Sequence, residues 1–162
     1  MRPFGEYRQL ARAGVPPGID VPVLLVGFQR QFDSVRQFRT QTGEGERTPA
    51  TLAGALADPA TLVIPVAKGP RNPYGDFIFV GRGATSDIVL PDPSVSKSHA
   101  AFQRELGRWY LKDNRARNGT HVNGRRLDPG ARVELQSGVP ISFGGYGAYF
   151  LEPEHFARVV GA

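Results

Sequence analysis

The sequence of 162 residues contains no cysteine. Disulfides, thiolate zinc sites, iron–sulfur clusters and cysteine nucleophiles are therefore excluded, which suits a reducing compartment. Long apolar runs are also missing: the most apolar stretch, residues 21–28, is far too short to span a bilayer. No signal-peptide core follows the N-terminus. We therefore expect a cytoplasmic protein with no membrane partner, no cofactor and no metal.

Lysine is scarce, because Lys68, Lys97 and Lys112 are the only lysines among 20 basic residues and the rest are arginine. The net charge is +5, and residues 61–162 hold most of the excess, with 13 basic against 9 acidic residues. A positive balance favours an anionic partner, and the planar fork of arginine suits phosphate or carboxylate. A genome rich in G and C would give the same bias towards arginine.

The pattern of the chain changes near Ala60. Beyond it, short apolar runs such as DFIFVGR, HAAFQRE, RWYLKD and GAYFLE alternate with turns rich in Gly, Pro, Asn and Asp. Short strands with frequent turns indicate an all-β sandwich or barrel, and no helix-length segment interrupts them. Residues 152–160 are amphipathic and predict a short C-terminal helix. We expect an N-terminal extension over residues 1–60 and a β-sandwich domain over residues 61–162.

The extension is predicted to be partly helical. Residues 1–17 have no clear period and are expected to form a poorly ordered arm. From Asp20, apolar residues recur at three- and four-residue spacing, which predicts a helix to about residue 39 with Asp20 as its N-cap. A second helix is predicted over residues 49–57, with Thr48 as its cap.

Polar clusters interrupt the strands at three places. The first is Gly81, Arg82 and Gly83, where an arginine between two glycines follows an apolar strand. The second, residues 92–100, combines three hydroxyls with Lys97 and a histidine. Hydroxyls can donate to phosphate oxygens and a lysine can neutralise their charge. Each cluster taken alone is equally typical of an ordinary exposed turn.

The third cluster is ARNGTHVNG. Asn118-Gly119 is a strong tight-turn signal, and Asn123-Gly124 repeats it with Thr120 between the two turns. Closely spaced turns are expected to hold Asn118 rigidly at a loop tip. An amide held in this way suits recognition of a peptide backbone, because it offers both a donor and an acceptor.

In this order, the three clusters resemble the forkhead-associated (FHA) domain family over about residues 61–151. The family pattern stands here as Gly81-Arg82, Ser96-Lys97-Ser98-His99, Asn118-Gly119-Thr120 and Asn123-Gly124. The resemblance implies a sandwich of about eleven strands whose loops at one end bind phosphothreonine peptides. It implies a partner in Ser/Thr-kinase signalling, either a kinase or its substrate.

Carried over residue by residue, the resemblance implies that Arg82 contacts the phosphate, Ser96 donates its hydroxyl to it and Lys97 adds a cation. Asn118 would bind the peptide backbone, and Arg117 would lie beside the phosphate. The residues expected to fix the loops are Gly81, His99, Gly119, Thr120 and Asn123. Lys97 departs from the usual arginine and loses the bidentate fork, and Arg117 stands where a small hydroxyl residue is frequent.

The physical chemistry of the ligand agrees with these roles. Phosphothreonine carries about −1.5 to −2 charges at neutral pH and three strong acceptor oxygens. Arg82, Ser96 and Lys97 supply two cations and a hydroxyl, which together match such a ligand. An alternative is a sandwich that keeps the motif for folding and binds no phosphate.

Two other classes of function are alternatives to phosphothreonine binding. A hydrolase would use Ser96 or Ser98 with His99 and a carboxylate such as Asp113, but the strand–G-x-S-x-G–helix context is absent. We therefore expect no enzymatic activity.

The second class is a nucleic-acid binder, suggested by the net charge and by the pair Trp109-Tyr110. Because side chains alternate along a strand, one of these two aromatics is expected to enter the core. The basic residues are scattered among acidic ones, so we expect no nucleic-acid partner.

The extension also carries threonines, at positions 40, 42, 48 and 51. One hypothesis is that a kinase modifies one of them and that the product occupies the domain's own site or that of a second molecule. The alternative is that the extension packs on the sandwich.

Overall fold

The computed structural model describes residues 1–13, 18–26 and 51–161. In chain order the elements are β1 (Arg2–Pro3), α1 (Phe4–Arg12), β2 (Val23–Val26), α2 (Leu52–Ala57), β3 (Leu62–Pro65), β4 (Phe77–Gly81), β5 (Ile88–Val89), β6 (Ala100–Glu105), β7 (Arg108–Asp113), β8 (Thr120–Val122), β9 (Arg125–Arg126), β10 (Arg132–Glu134), β11 (Pro140–Phe143), β12 (Tyr146–Leu151) and α3 (Pro153–Gly161). The predicted all-β sandwich and the predicted C-terminal helix are confirmed.

The strands form two sheets. One has seven strands in the order β1-β3-β2-β12-β11-β8-β9, and the other has five in the order β10-β7-β6-β4-β5. Neighbouring strands run antiparallel except β4 and β5, which pair in parallel. The connections between strands therefore collect at the two ends of the sandwich, where loops from both sheets meet.

The main core lies between the sheets and is rich in aromatic rings. Phe102 packs on the edge of Phe143, with centroids 6.2 Å apart, and stacks on Phe150 at 6.0 Å. Trp109 is only 8% exposed and joins this core. Tyr110 faces the other way, where the guanidinium of Arg132 lies 4.4 Å from its ring centroid. The expectation that one of the two adjacent aromatics is buried is confirmed.

A second core covers the outer face of the seven-stranded sheet. Helices α1 and α3 pack against each other there, and the ring of Phe156 meets Phe4 at 6.2 Å and Tyr7 at 5.4 Å. Tyr149 and Leu151 of β12 form the floor beneath them. Burial of the Tyr7 ring raises the pKa of its hydroxyl.

Two predictions for the first residues are wrong. Most of the expected disordered arm is helix α1, because Phe4 and Tyr7 have an apolar surface to bury against. The helix predicted from Asp20 is strand β2 over Val23–Val26, paired with β3 on one side and β12 on the other. All four of its residues are buried, and a short continuous apolar run does not by itself separate strand from helix. The rest of that predicted helix lies outside the described residues.

The second predicted helix is shorter than expected. Helix α2 begins at Leu52, and Thr51 is its cap: the Thr51 Oγ1 accepts a hydrogen bond from the Gly54 N–H at 2.9 Å. The predicted cap, Thr48, lies outside the described residues, as do the threonines at positions 40 and 42. The sheet continues across the boundary placed near Ala60, since β1 and β2 both pair with β3. In residues 1–13, 18–26 and 51–161, no helix has the length and apolarity to cross a membrane.

The β6–β7 turn contains an unfavourable residue, which generates a stability prediction. Leu106 has a φ of 48° and is 96% exposed, and Gly107 follows with a φ of 77°. Turns of this kind favour Asn-Gly, and a left-handed conformation costs an ordinary residue roughly 1–2 kcal/mol. We expect Leu106→Asn to raise the free energy of unfolding by about 0.5–1 kcal/mol, measured by urea denaturation.

The β8–β9 turn provides the reciprocal control. Asn123 has a φ of 51° and Gly124 a φ of 78°, so this turn already has the favoured pair. Asn123→Leu is expected to lower the free energy of unfolding by a similar amount. Equal stability of both variants and the parent protein would contradict the strain assigned to Leu106.

Candidate functional site

Three loops meet at one end of the sandwich. They are residues 82–87 after β4, residues 90–99 before β6, and residues 114–119 before β8. The Arg82 N–H donates to the Ser96 carbonyl at 2.9 Å, and the Asn114 N–H donates to the His99 carbonyl at 3.0 Å. The structure therefore brings the Gly-Arg, Ser-Lys-Ser-His and Asn-Gly-Thr clusters together at a single rim.

The first loop packs directly on the backbone of the second. A Cβ atom on Gly81 would overlap the Lys97 carbonyl, and one on Gly83 would lie 2.9 Å from the same oxygen. Because this oxygen stands where either Cβ would have to be, neither glycine has room for a side chain. The Gly83 N–H also donates a hydrogen bond to the same carbonyl at 3.0 Å. Arg82 between them is exposed, and its Nε donates to the Val95 carbonyl at 3.1 Å. That bond uses one of five guanidinium N–H groups, so four remain to bind a ligand.

His99 is the buried link between the second and third loops. The Ser96 N–H donates to the His99 Nδ1 at 3.0 Å, and the His99 Nε2 lies 3.0 Å from the Gly119 carbonyl. Since Nδ1 accepts and a carbonyl cannot donate, the hydrogen of the ring is on Nε2 and the imidazole is neutral. Burial accordingly lowers the pKa of His99.

Ser96 and Arg117 are in direct contact. The Arg117 N–H donates to the Ser96 Oγ at 3.0 Å, so the hydroxyl is already an acceptor for the protein. Its own proton makes no hydrogen bond within the described residues. Lys97 and Arg117 are both exposed, and they belong to the two loops that meet at this hydroxyl.

Asn118 lies at the tip of the third loop, and its side chain is held in place. The Asn118 Nδ2 donates to the Ser94 carbonyl at 2.9 Å, which leaves its Oδ1 and its second N–H for another partner. The Ser94 Oγ donates to the Asp92 Oδ1 at 2.6 Å and accepts from the Gly145 N–H at 2.9 Å. Ser94 was not recognised from the sequence, although the Asp-Pro-Ser turn that contains it is a recognisable signal.

Gly119 and Thr120 anchor the third loop. Gly119 has a φ of 76°, and its carbonyl also accepts from the Gly144 N–H at 2.9 Å. Thr120 is buried, and its Oγ1 donates to the Asp113 Oδ1 at 2.7 Å. The Asp113 Oδ2 accepts from the Arg115 N–H at 2.9 Å, so this carboxylate bonds neither ring nitrogen of His99.

Asn123 is not at the rim. It lies at the opposite end of β8, where its N–H donates to the Pro140 carbonyl at 2.8 Å. The turn at Asn123-Gly124 reverses the chain into β9, and β9 returns Arg126 to Gly119. Any support that Asn123 gives to the loops therefore acts through strand β9.

The four cations at the rim form no ion pair with a carboxylate of the described residues. Arg82, Lys97, Arg117 and Arg126 are all exposed. In the part of the chain that the structure describes, the ion pairs are Arg108–Glu134 at 3.4 Å and Arg132–Glu105 at 2.7 Å. Both of these pairs belong to the five-stranded sheet and its hairpin.

Comparison with known proteins identifies the family. The family model for the FHA domain matches residues 78–144. The oxoglutarate dehydrogenase inhibitor of Corynebacterium efficiens is 33% identical over 119 residues, which cover 70% of this chain and 80% of that protein. The chain belongs to the FHA domain family. Another relative, the glycogen accumulation regulator GarA of Mycobacterium tuberculosis, is 31% identical over 131 residues, or 76% of each chain.

The solved structures agree on the FHA fold. The FHA domain of the CT664 protein from Chlamydia trachomatis superposes with a TM-score of 0.53 at 17% identity, covering 81% of this chain and 96% of that one. The predicted family resemblance is confirmed, and it accounts for the rim formed by the three loops.

The neutral state of His99 generates a prediction for pH. The unfolded chain takes up a proton near pH 6.5, whereas folded His99 does so only at a lower pH. The free energy of unfolding should therefore fall as pH drops below about 6.5, by at most about 1.4 kcal/mol per pH unit, and level off below the folded pKa. Urea denaturation between pH 7.5 and pH 5 measures this slope.

His99→Gln is the matched variant, because it removes the titrating group and leaves His121 and His155 in place. The variant is expected to be less stable at every pH and to have a flatter slope below pH 6.5. Parallel slopes for the two proteins would show that His99 contributes nothing to the pH dependence.

Proposed function

We propose that the chain binds phosphothreonine on a partner protein of Ser/Thr-kinase signalling, through the rim that contains Arg82 and Ser96. The observation that carries the proposal is the state of the Ser96 hydroxyl. Its oxygen accepts from the Arg117 N–H at 3.0 Å, and its proton remains to be donated, in the loop whose Val95 carbonyl holds Arg82. A hydroxyl donor beside a fixed guanidinium suits an acceptor-only dianion.

The donor set supports a phosphate ligand. Arg82, Lys97 and Arg117 are cations, and hydrogen bonds between charged groups are roughly twice as strong as neutral ones. Arg82 can supply a planar fork, whereas Lys97 supplies a point charge. The phosphate is therefore expected to provide most of the affinity, with the single proton of Ser96 fixing its orientation.

Asn118 supports recognition of the peptide that contains the phosphate. One N–H of its amide is bound to the Ser94 carbonyl, and its oxygen and second N–H remain for a ligand. Such a pair matches one backbone N–H and one backbone carbonyl of an extended peptide. The proposed ligand is thus a phosphorylated segment in extended conformation.

The proposal is for a binding protein and not an enzyme. Both ring nitrogens of His99 bond to the backbone, so His99 is not free to act as a base for Ser96 or Ser98. Two relatives are named as an inhibitor of oxoglutarate dehydrogenase and a regulator of glycogen accumulation, which are roles of binding proteins. We extend this type of role to the present chain, acting in the cytoplasm on a kinase or on a kinase substrate.

A screen against a phosphothreonine peptide library, followed by titration calorimetry, tests the proposal. We expect binding of phosphorylated peptides and none of the same peptides without phosphate. Arg82→Ala should weaken binding by roughly 10- to 100-fold, because hydrogen bonds to charged groups contribute about 1.5–3 kcal/mol. Ser96→Ala should weaken it by roughly tenfold for the same reason.

Arg108→Ala is the control, because it removes one arginine at the hairpin end of the sandwich opposite the rim. The Arg108→Ala variant should bind as tightly as the parent protein, and the Arg82 and Arg108 variants should keep its thermal midpoint of unfolding. Equal affinity of the parent protein for phosphorylated and plain peptides would instead make the chain an FHA-fold scaffold without phosphate recognition.

A further inference from the structure

Strand β9 carries an arginine to the rim that the phosphate site does not use. Its register with β8 pairs His121 with Arg126 and Val122 with Arg125. The Leu127 N–H continues this pairing with a hydrogen bond of 2.8 Å to the Thr120 carbonyl. Residue 126 is thereby fixed beside the start of β8, where the third loop ends.

The guanidinium of Arg126 lies against the backbone of Gly119. A Cβ atom on Gly119 would be 2.5 Å from the Arg126 Nε, 2.9 Å from its Cζ and 3.1 Å from its Nη2. The group thus occupies the space that a side chain at position 119 would need. Gly119 directly follows Asn118, whose amide is the proposed contact for the peptide backbone.

Arg126 also has no visible role in the fold. It is exposed, and within the described ranges no carboxylate lies within ion-pair distance of it. An arginine that contacts a glycine at a binding rim and forms no ion pair is well placed to meet an anion from a ligand.

The order of contacts places this charge apart from the phosphate pocket. Arg82 and Ser96 belong to loops that touch each other, and Arg117 touches Ser96. The Arg126 guanidinium contacts Gly119, which follows Asn118 in the chain. One phosphate has three acceptor oxygens, and the four donor groups at Arg82, Ser96, Lys97 and Arg117 are sufficient to bind them. With those donors assigned to the phosphate, Arg126 remains for an anion on another residue of the ligand.

We propose that Arg126 forms a second anion-binding subsite, which recognises a carboxylate or a second phosphate on the same peptide that presents phosphothreonine to Arg82 and Ser96. This inference rests on the proposed function and adds the ligand class: phosphothreonine in an acidic or doubly phosphorylated segment. The shared chemistry is an anionic oxygen pair that matches the guanidinium fork.

A peptide series on the full chain tests this subsite. The reference peptide has one phosphothreonine flanked by alanines, and each other member has one Asp, or one phosphoserine, at a single flanking position. We expect one or two neighbouring positions at which the acidic residue tightens binding by about three- to tenfold, as for a partly exposed charged hydrogen bond. Arg126→Ala should reduce that gain to less than about twofold while leaving affinity for the reference peptide nearly unchanged.

Arg125→Ala is the matched control. It removes the same charge from the adjacent residue of the same strand, where the side chain points to the opposite face. The positional gain should persist in this variant, and comparison of the Asp and phosphoserine series decides which anion the subsite prefers.

Three outcomes would overturn the inference. The first is that the parent protein shows no positional preference for an acidic residue. The second is that the Arg125 and Arg126 variants lose this preference equally. The third is that Arg126→Ala loses binding of the reference peptide itself. The first two outcomes would leave only a general electrostatic attraction between the positive rim and acidic peptides. The third would place Arg126 within the phosphate pocket. Failure of the parent protein to bind the reference peptide would instead refute the proposed function, on which this subsite depends.

Discussion

A single neutral imidazole joins the two halves of this site. Through His99, the Ser96 N–H and the Gly119 carbonyl are bound to one buried ring. Ser96 precedes β6 of the five-stranded sheet, whereas Gly119 precedes β8 of the seven-stranded sheet. The rim therefore exists only when the sandwich is closed, and loss of the ring would leave the Ser96 N–H and the Gly119 carbonyl without these hydrogen bonds, at a cost in stability.

The residues that fix the rim differ in kind from those that face solvent. His99, Thr120 and Asp113 are buried and bond only within the protein. Arg82 and Lys97 are exposed, and the fold uses little of their side chains. Substituting the second group should alter recognition with little effect on folding. Loops that are already fixed also lose little conformational entropy when a ligand binds, which favours affinity.

The sequence was informative where local chemistry is distinctive. Few folds explain the combination of Gly-Arg, Ser-Lys-Ser-His and Asn-Gly-Thr in this order. The combination therefore predicts the family, the sandwich and the rim. The N-terminal region was misread, because Val23–Val26 is apolar on both faces and has no period that would distinguish strand from helix. Helix α1 was missed for a different reason: its two buried residues find their partners on α3, at the other end of the chain.

The position of Asn123 is equally instructive. Its turn chemistry was evident from the sequence, but strand β8 is only three residues long, and its direction decides which end of the sheet the turn occupies. Whether Asn123 supports the rim directly or through β9 depends on the pairing of β8 with β11. Such tertiary pairings are not encoded in the spacing of turn residues.

The central position of β2 has a consequence for biosynthesis. Leu25 of β2 pairs with Tyr149 of β12, so β2 cannot complete its pairing until a segment far later in the sequence has been synthesised. Contacts between residues so far apart in sequence slow folding, and an unpaired apolar strand is prone to aggregate in the meantime. Strand β3 can already pair with one edge of Val23–Val26, but the other edge stays open until β12 has been synthesised.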